Sequence, residues 1–445
     1  MKLKLLLLPT LILFSSGLLA QADPRMYDII GSVSADRLES DISTLAGFGT
    51  RHTLSDTVSD TRGIGAARRW IKKEFDKISA DCGGCLEVFY QRNLVPEGEN
   101  NRIIRDVWVV NVVAILRGTD NPGRYVIMSG DIDSRVSDAT DFTSDSPGAN
   151  DNASGMAGVL EAARVLSRYK FRNSVVFTGL SGEEQGLFGG KGLAEYAGEQ
   201  DWKIIGILNN DMIGNTTGVD GVVSNRDFRI FSEPVPPNET EQQRRARRFF
   251  GGEVDGISRQ LARYVHKTTL TYMPEMNPMM IYRLDRFGRG GHHRPFNDAG
   301  YAGVRIMEAH ENYTQQHQDI RLEDGILYGD VLEAVDFDYA AKLTAVNAIA
   351  LASLGWAPAA PENVLIGGIV EPSARLKWDP VPGAVAYKVY WRDTTSPTWD
   401  HFRLISGTEH TLEGIVIDNY FFGVAAVGAD GHESLVAFPS GILRN

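Results

Sequence analysis

The stretch Gly130–Gly155, GDIDSRVSDATDFTSDSPGANDNASG, decides how the rest of the chain is read. It follows an apolar run, YVIM at 125–128, with the character of a buried strand. Yet it carries six aspartates. Carboxylates repel one another and are costly to take out of water. Either the stretch is a solvated loop or positive charge sits among the acids.

Working outward, β-branched and apolar runs at 107–116, 125–129, 174–178, 204–208 and 304–307 read as strands. Helical spacing marks 66–78, 187–197 and 153–166, where Met156, Val159, Leu160, Ala163 and Leu166 share one face. The alternation predicts an α/β fold, a mixed, mainly parallel sheet flanked by helices. Polar residues then fall just past the strand ends. Asp131 and Asp133 follow one strand, Glu183 and Glu184 the next, then Asp211, then His310 and His317; Asp151 opens the helix at 153. Ligands of open α/β sheets bind in that crevice. Each residue alone has a plain structural reading: a loop acid, a helix-start acid, an N-cap, a surface histidine. Together, six carboxylates and an imidazole in one pocket require divalent cations. An adjacent free carboxylate then gives the apparatus of metal-assisted hydrolysis. His52 and His266 read as structural, and Gly148 and Gly155 as serving backbone geometry.

Four motifs in order, PGANDNASG (147–155), GEEQGLFG (182–189), NNDMIG (209–214) and ENYTQQHQD (311–319), resemble the di-zinc aminopeptidase family typified by bacterial leucyl aminopeptidase. The resemblance spans about residues 40–355 and implies a zinc-exopeptidase-like fold with two divalent ions. It implies that Asp151 bridges the ions, that Glu184 and His317 hold one, and that Asp211 holds the other. It makes Glu183 the general base toward the water between them, and Asp133 a carboxylate orienting the ligand two residues before it. The chain departs from the family twice. Gly-His-x-Asp is here Gly130-Asp131-Ile132-Asp133, so Asp131 takes the imidazole's place; Asp-His is here His292-His293. An exchange between positions 131 and 292 needs them to meet, which the sequence does not show. An oxygen-only set of Asp131, Asp151 and Asp211 shifts preference from zinc toward manganese or another oxygen-loving ion. His293 is expected to line the pocket and contact substrate, with His310 and Tyr313 as further candidates.

Lys2 and Lys4, an apolar run from Leu5 to Leu19 and a small-x-small site ending at Ala22 read as a secretory signal peptide. Its removal takes the formal charge from −12 to −14, because Lys2 and Lys4 are its only charged residues. Such an acidic chain excludes nucleic acid as a natural partner. No later run is apolar enough to span a bilayer. Cys82 and Cys85, in an exported chain, read as a local disulfide.

The sequence APAAP at 357–361 reads as a linker, leaving a large domain at 23–357 and a tail at 362–445. Leu376, Trp378, Tyr387, Val389 and Trp391 alternate with polar residues, which predicts an all-β sandwich. The tail resembles a fibronectin type III domain, with Trp378 and Tyr387 in its core, and is a candidate for matrix or protein docking. The expectation is an exported metallopeptidase, periplasmic or extracellular, acting on peptides as an aminopeptidase. Two alternatives stay open: another amide hydrolase or acyl transferase on the same scaffold, and a peptide-binding protein impaired by Asp131.

Overall fold

The computed structural model describes residues 22–444. The leader reading lies outside them, except for its last residue. The strands of the main sheet are β1 (Leu86–Val95), β2 (Val107–Leu116), β3 (Asn121–Asp131), β4 (Asn173–Leu180), β5 (Lys203–Asn210), β6 (Asp227–Ser232), β7 (Asn277–Ile281) and β8 (Gly303–Glu308). They lie in the order β1-β2-β4-β3-β5-β8-β6-β7. The central four, β4-β3-β5-β8, are parallel; β1–β2, β2–β4 and β6–β8 are antiparallel. The sheet is therefore mixed with a parallel centre.

Helices cover both faces. On one lie α1 (Pro24–Ser32), α2 (Ala35–Ala46), α3 (Gly63–Asp81) and α4 (Gly155–Leu166); on the other lies α5 (Phe188–Glu199). The segment after β6 carries α6 (Glu241–Phe249), which buries none of its residues. Then come α7 (Ile257–Tyr272), α8 (His293–Asp298) and α9 (Phe337–Trp356). Helices α7 and α9 join the first face, where Met128, Met156, Leu160, Leu343 and Ile349 share one core. On the second face Ile127, Val176 and Ile207 pack against Leu193 of α5 and Phe296 of α8. Both layers are needed, because β4 is buried along its whole length.

The metal loop sits at the carboxyl end of β3, where contact is close. A Cβ on Gly130 would lie 2.6 Å from the Gly155 carbonyl carbon, and one on Gly155 would lie 2.4 Å from the Asn210 carbonyl oxygen. Only glycine lets the two backbones meet. Cys82 and Cys85 are joined by a disulfide just past α3. No helix among the described residues is long and apolar enough to cross a membrane.

Beyond the short hairpin of β9 (Arg321–Glu323) and β10 (Ile326–Tyr328), the tail forms two sheets. One holds β11 (Leu365–Gly367), β12 (Ala374–Lys377), β15 (Glu409–Leu412) and β17 (Gly441–Ile442); the other holds β13 (Ala386–Asp393), β14 (His401–Ile405) and β16 (Tyr420–Val427). Trp378, Tyr387, Val389 and Trp391 share their core. This sandwich does not hang free on the linker. Asp255 pairs with Arg263 of α7 at 2.8 Å and with Arg392 of β13. Glu433 pairs with Lys388 at 2.6 Å and with Lys267 of α7. His432 lies 2.9 Å from Asp23 and 3.0 Å from Ser353 of α9.

Candidate metal centre

Three side chains, from the turn before α4, the turn after β4 and the loop after β8, close on one another. His317 Nε2 lies 2.9 Å from Glu184 Oε1 and 3.0 Å from Asp151 Oδ2. One donor atom from each of Asp151, Glu184 and His317 lies within 4.8 Å of the other two. Two carboxylate oxygens and one imidazole nitrogen make a donor set suited to zinc, with a fourth position left for water or substrate. The residues therefore fit such an ion.

The loop that presents Asp151 is tied down by its neighbours. Gly148 adopts a left-handed conformation, and Ala149–Ser154 is kinked, with Asp151 and Asn152 in non-helical backbone. Asp330 accepts the backbone N–H groups of Asn150 (2.8 Å) and Asp151 (2.6 Å). The Asn150 amide donates to Glu308 at 2.9 Å. Asn152 Nδ2 donates to Asp131 at 2.8 Å and to the Asn210 carbonyl at 2.7 Å. Gln316 donates to Asp151 Oδ2 at 3.0 Å.

Glu183 and Glu184 lie on the turn after β4. Asp133 accepts both of their backbone N–H groups, at 3.2 and 3.0 Å, and a hydroxyl from Thr53 at 3.2 Å. Asp133 thus fixes the acidic turn; the contact expected of it, with residue 131, is not the one its oxygens make. Arg135 donates to Glu184 Oε2 at 2.8 Å and lies 2.6 Å from His317 Nδ1.

The other half of the acidic cluster is arranged differently. Asp131 Oδ1 lies 2.5 Å from His292 Nδ1, so the two positions that depart from the resembled family meet. Asp211 pairs with Arg305 of β8 at 2.8 Å, and Arg305 is shared with Asp285 at 3.1 Å. Asp211 Oδ1 and His292 Nε2 are buried without a hydrogen-bond partner. Asp131 and Asp211 do not join the closed group of Asp151, Glu184 and His317 among the described residues.

Electrostatics divides the cluster along the same line. Burial works against ionisation throughout. Asp151 and Glu184 are nevertheless lowered by His317, and His317 is raised to about 9 by Glu184 and Asp151. Asp131, Glu183 and Asp211 are raised well above the usual carboxylate range, by burial and then by neighbouring acids, only partly offset at Asp211 by Arg305. Burial holds His292 down at about 4. The acids held ionised, Asp151 and Glu184, are the two that share a donor point with His317.

A cavity of about 610 Å³ opens over this floor, lined by Asp151, Glu183, Glu184, Asp211, Gln316 and His317 among others. The three expected substrate contacts lie elsewhere. His293 is fully buried, with Nε2 2.8 Å from the Leu284 carbonyl, so it supports the wall from behind. His310 lies 3.5 Å from Asp227, and Tyr313 is exposed; neither lines the cavity. Arg135, Arg305, Gln316 and Asp330 are the site residues that sequence reading missed. Gln316 stands inside a recognised motif and Arg135 just past one, so their position was a usable signal. Arg305 and Asp330 gave none.

Comparison with known proteins agrees with this geometry. The chain is 38% identical over 437 residues to a probable zinc metalloprotease of Pyrenophora tritici-repentis, covering 95% of this chain and 99% of that one. The fold is similar to that of the LapA aminopeptidase of Legionella pneumophila (TM-score 0.53, 15% identity, 76% of each chain). It is also similar to that of a glutaminyl cyclase of Macrostomum lignano (TM-score 0.52, 13% identity, 74% of this chain and 92% of that one). Residues 111–324, which hold every residue of the acidic cluster, match the model of peptidase family M28, and the chain belongs to that family.

Proposed function

We propose that the chain is an exported zinc aminopeptidase that removes N-terminal residues from peptides, working in the periplasm or outside the cell. The observation that carries this reading is the placement of Glu183. It is a half-buried carboxylate facing the cavity, on a turn whose next residue belongs to the Asp151–Glu184–His317 group. Zinc bound by that group supplies Lewis acidity toward a carbonyl and toward water.

The chain's own residues do the rest. Asp133 clamps the backbone of the turn, so Glu183 cannot swing away as it works. Glu183 takes the proton from the attacking water and passes it to the departing amine. Its raised affinity for protons, from burial and from Glu184, Asp211 and Asp131, suits a group that must hold a proton between these two events. The carboxylates at the floor give a free substrate amine a counter-charge, which is the basis for preferring the aminopeptidase direction.

A second divalent ion belongs beside Asp151 and Asp211 in this proposal. Oxygen donors dominate there, so manganese competes with zinc and the ion exchanges more readily. The sandwich, with its fibronectin-like pattern, is proposed to serve docking to matrix or to protein. The test is Glu183→Gln assayed on aminoacyl-nitroanilides with metal analysis alongside. Retained metal with turnover down about 10²–10⁴-fold is expected. Near-normal turnover would remove Glu183 as the base. Metal without turnover in the unaltered protein would favour a peptide-binding role.

A further inference from the structure

The walls of the cavity oppose its floor. Arg102, Arg135, Lys191, Arg286, Arg289 and Arg294 all line it, in a chain whose formal charge is −12. Several of these cations are already engaged. Arg135 pairs with Glu184, Arg286 pairs with Glu311 at 2.9 Å, and Arg289 donates to Gln316 at 2.9 Å. Arg294 has only a loose contact with Asp298 at 3.9 Å, and both side chains are about half exposed. Arg102 donates to the Glu184 backbone carbonyl, and Lys191 stands over the Phe188 ring at 4.8 Å. Among the described residues neither Arg102 nor Lys191 forms an ion pair with a carboxylate.

Among the acids that line the cavity, Asp298 stands 3.9 Å from Arg294, too far for a hydrogen bond. Asp151 and Glu184 belong to the metal group and Glu183 and Asp211 lie on the floor beside it. A cation held by that group would draw on those acids and leave the walls more positive still. Resting on the peptidase reading, we propose that this cavity selects substrates bearing a carboxylate within reach of Arg102, Lys191 and Arg294. The carboxylate is either an acidic side chain next to the cleaved bond or the α-carboxylate of a short peptide. Both present the same planar anion to a guanidinium or ammonium group.

The test uses four peptides with the same N-terminal leucine: Leu-Ala-amide, Leu-Glu-amide, Leu-Lys-amide and Leu-Ala with a free carboxylate. Binding to the zinc-loaded Glu183→Gln full chain is measured by calorimetry, and kcat/KM is measured on the unaltered enzyme. One or both carboxylate-bearing peptides are expected to bind about tenfold or more tighter than Leu-Ala-amide, with Leu-Lys-amide weakest. The preference should shrink as salt is raised, and Lys191→Ala with Arg294→Ala should erase it. Gain only with Leu-Glu-amide assigns the side chain; gain only with free Leu-Ala assigns the α-carboxylate. Equal binding of all four overturns the proposal, whatever the hydrolysis assay shows. Selective binding with no hydrolysis of any peptide leaves the proposal standing and overturns the peptidase reading instead.

Discussion

The two halves of the acidic cluster meet the same problem in different ways. At Asp151, Glu184 and His317 the donors converge on a shared point. At Asp131 and Asp211 the chain supplies its own partners, His292 and Arg305. One half draws its donors onto a point that an ion can share, with Arg135 and His317 beside the acids; the other keeps its acids apart, Asp131 on the His292 ring and Asp211 on Arg305. The difference teaches that a run of strand-end acids does not by itself fix how many ions bind. What matters is which of their donor atoms converge on a common point.

The sharpest way to break this comparison is to remove one donor from the convergent half. His317→Ala should weaken zinc binding by more than about 100-fold, the upper end of what loss of a mere supporting contact costs. Chelator competition would read this; a smaller loss would mean the group is not the tight site. The other half should respond in stability. Arg305→Met leaves Asp211 and Asp285 buried without their shared guanidinium. It should cost about 3–5 kcal/mol in urea unfolding, and added zinc should restore part of it. If zinc restores no more than in the unaltered chain, Asp211 has no role toward a second ion.

The Asp131–His292 contact makes a finer test. Asp131→His and His292→Asp should each destabilise, whereas the double exchange should recover about 1–3 kcal/mol relative to their sum. Additive costs would show that the 2.5 Å contact carries no coupling. The smallest effect belongs to a buried acid with ample cations. Burial opposes its ionisation, but Lys267 and Lys388 hold Glu433 at about 2, below its ordinary 4.5. A depressed acid contributes stability above its unfolded value and loses it as pH falls. Some 1–2 kcal/mol should therefore disappear between about pH 4.5 and 2, less than the full shift because Lys267 is half exposed. Glu433→Gln should flatten that acid limb in thermal melts taken across this range.

Much of the site was legible because strand ends are legible. The apolar runs at 125–129, 174–178 and 204–208 fall inside β3, β4 and β5, and the acids behind them line one cavity or touch its floor. The Asp131–His292 contact was not legible, since 161 residues separate the partners and no periodicity joins them. His293 misled for a related reason: sequence puts it beside His292, but successive side chains at a helix start point apart, and its ring turns into the wall. Helix α9 is apolar on nearly every side because it is buried on nearly every side, so it lacks the stripe that marks an amphipathic helix. Strand β7 begins Asn-Pro at a sheet edge, where proline is tolerated but the strand pattern fades.

The seam between the large sheet's helices and the sandwich has a consequence for turnover of the protein itself. Helix α7 gives Arg263 to the Pro397 carbonyl and Lys267 to Glu433 of the sandwich, and it also packs on β8, the strand that carries Arg305. A protease that clipped the sandwich away would therefore loosen the helix behind the catalytic wall. Damage at the far end of the chain would then be registered as lost activity, and a trimmed enzyme would not persist as an active fragment.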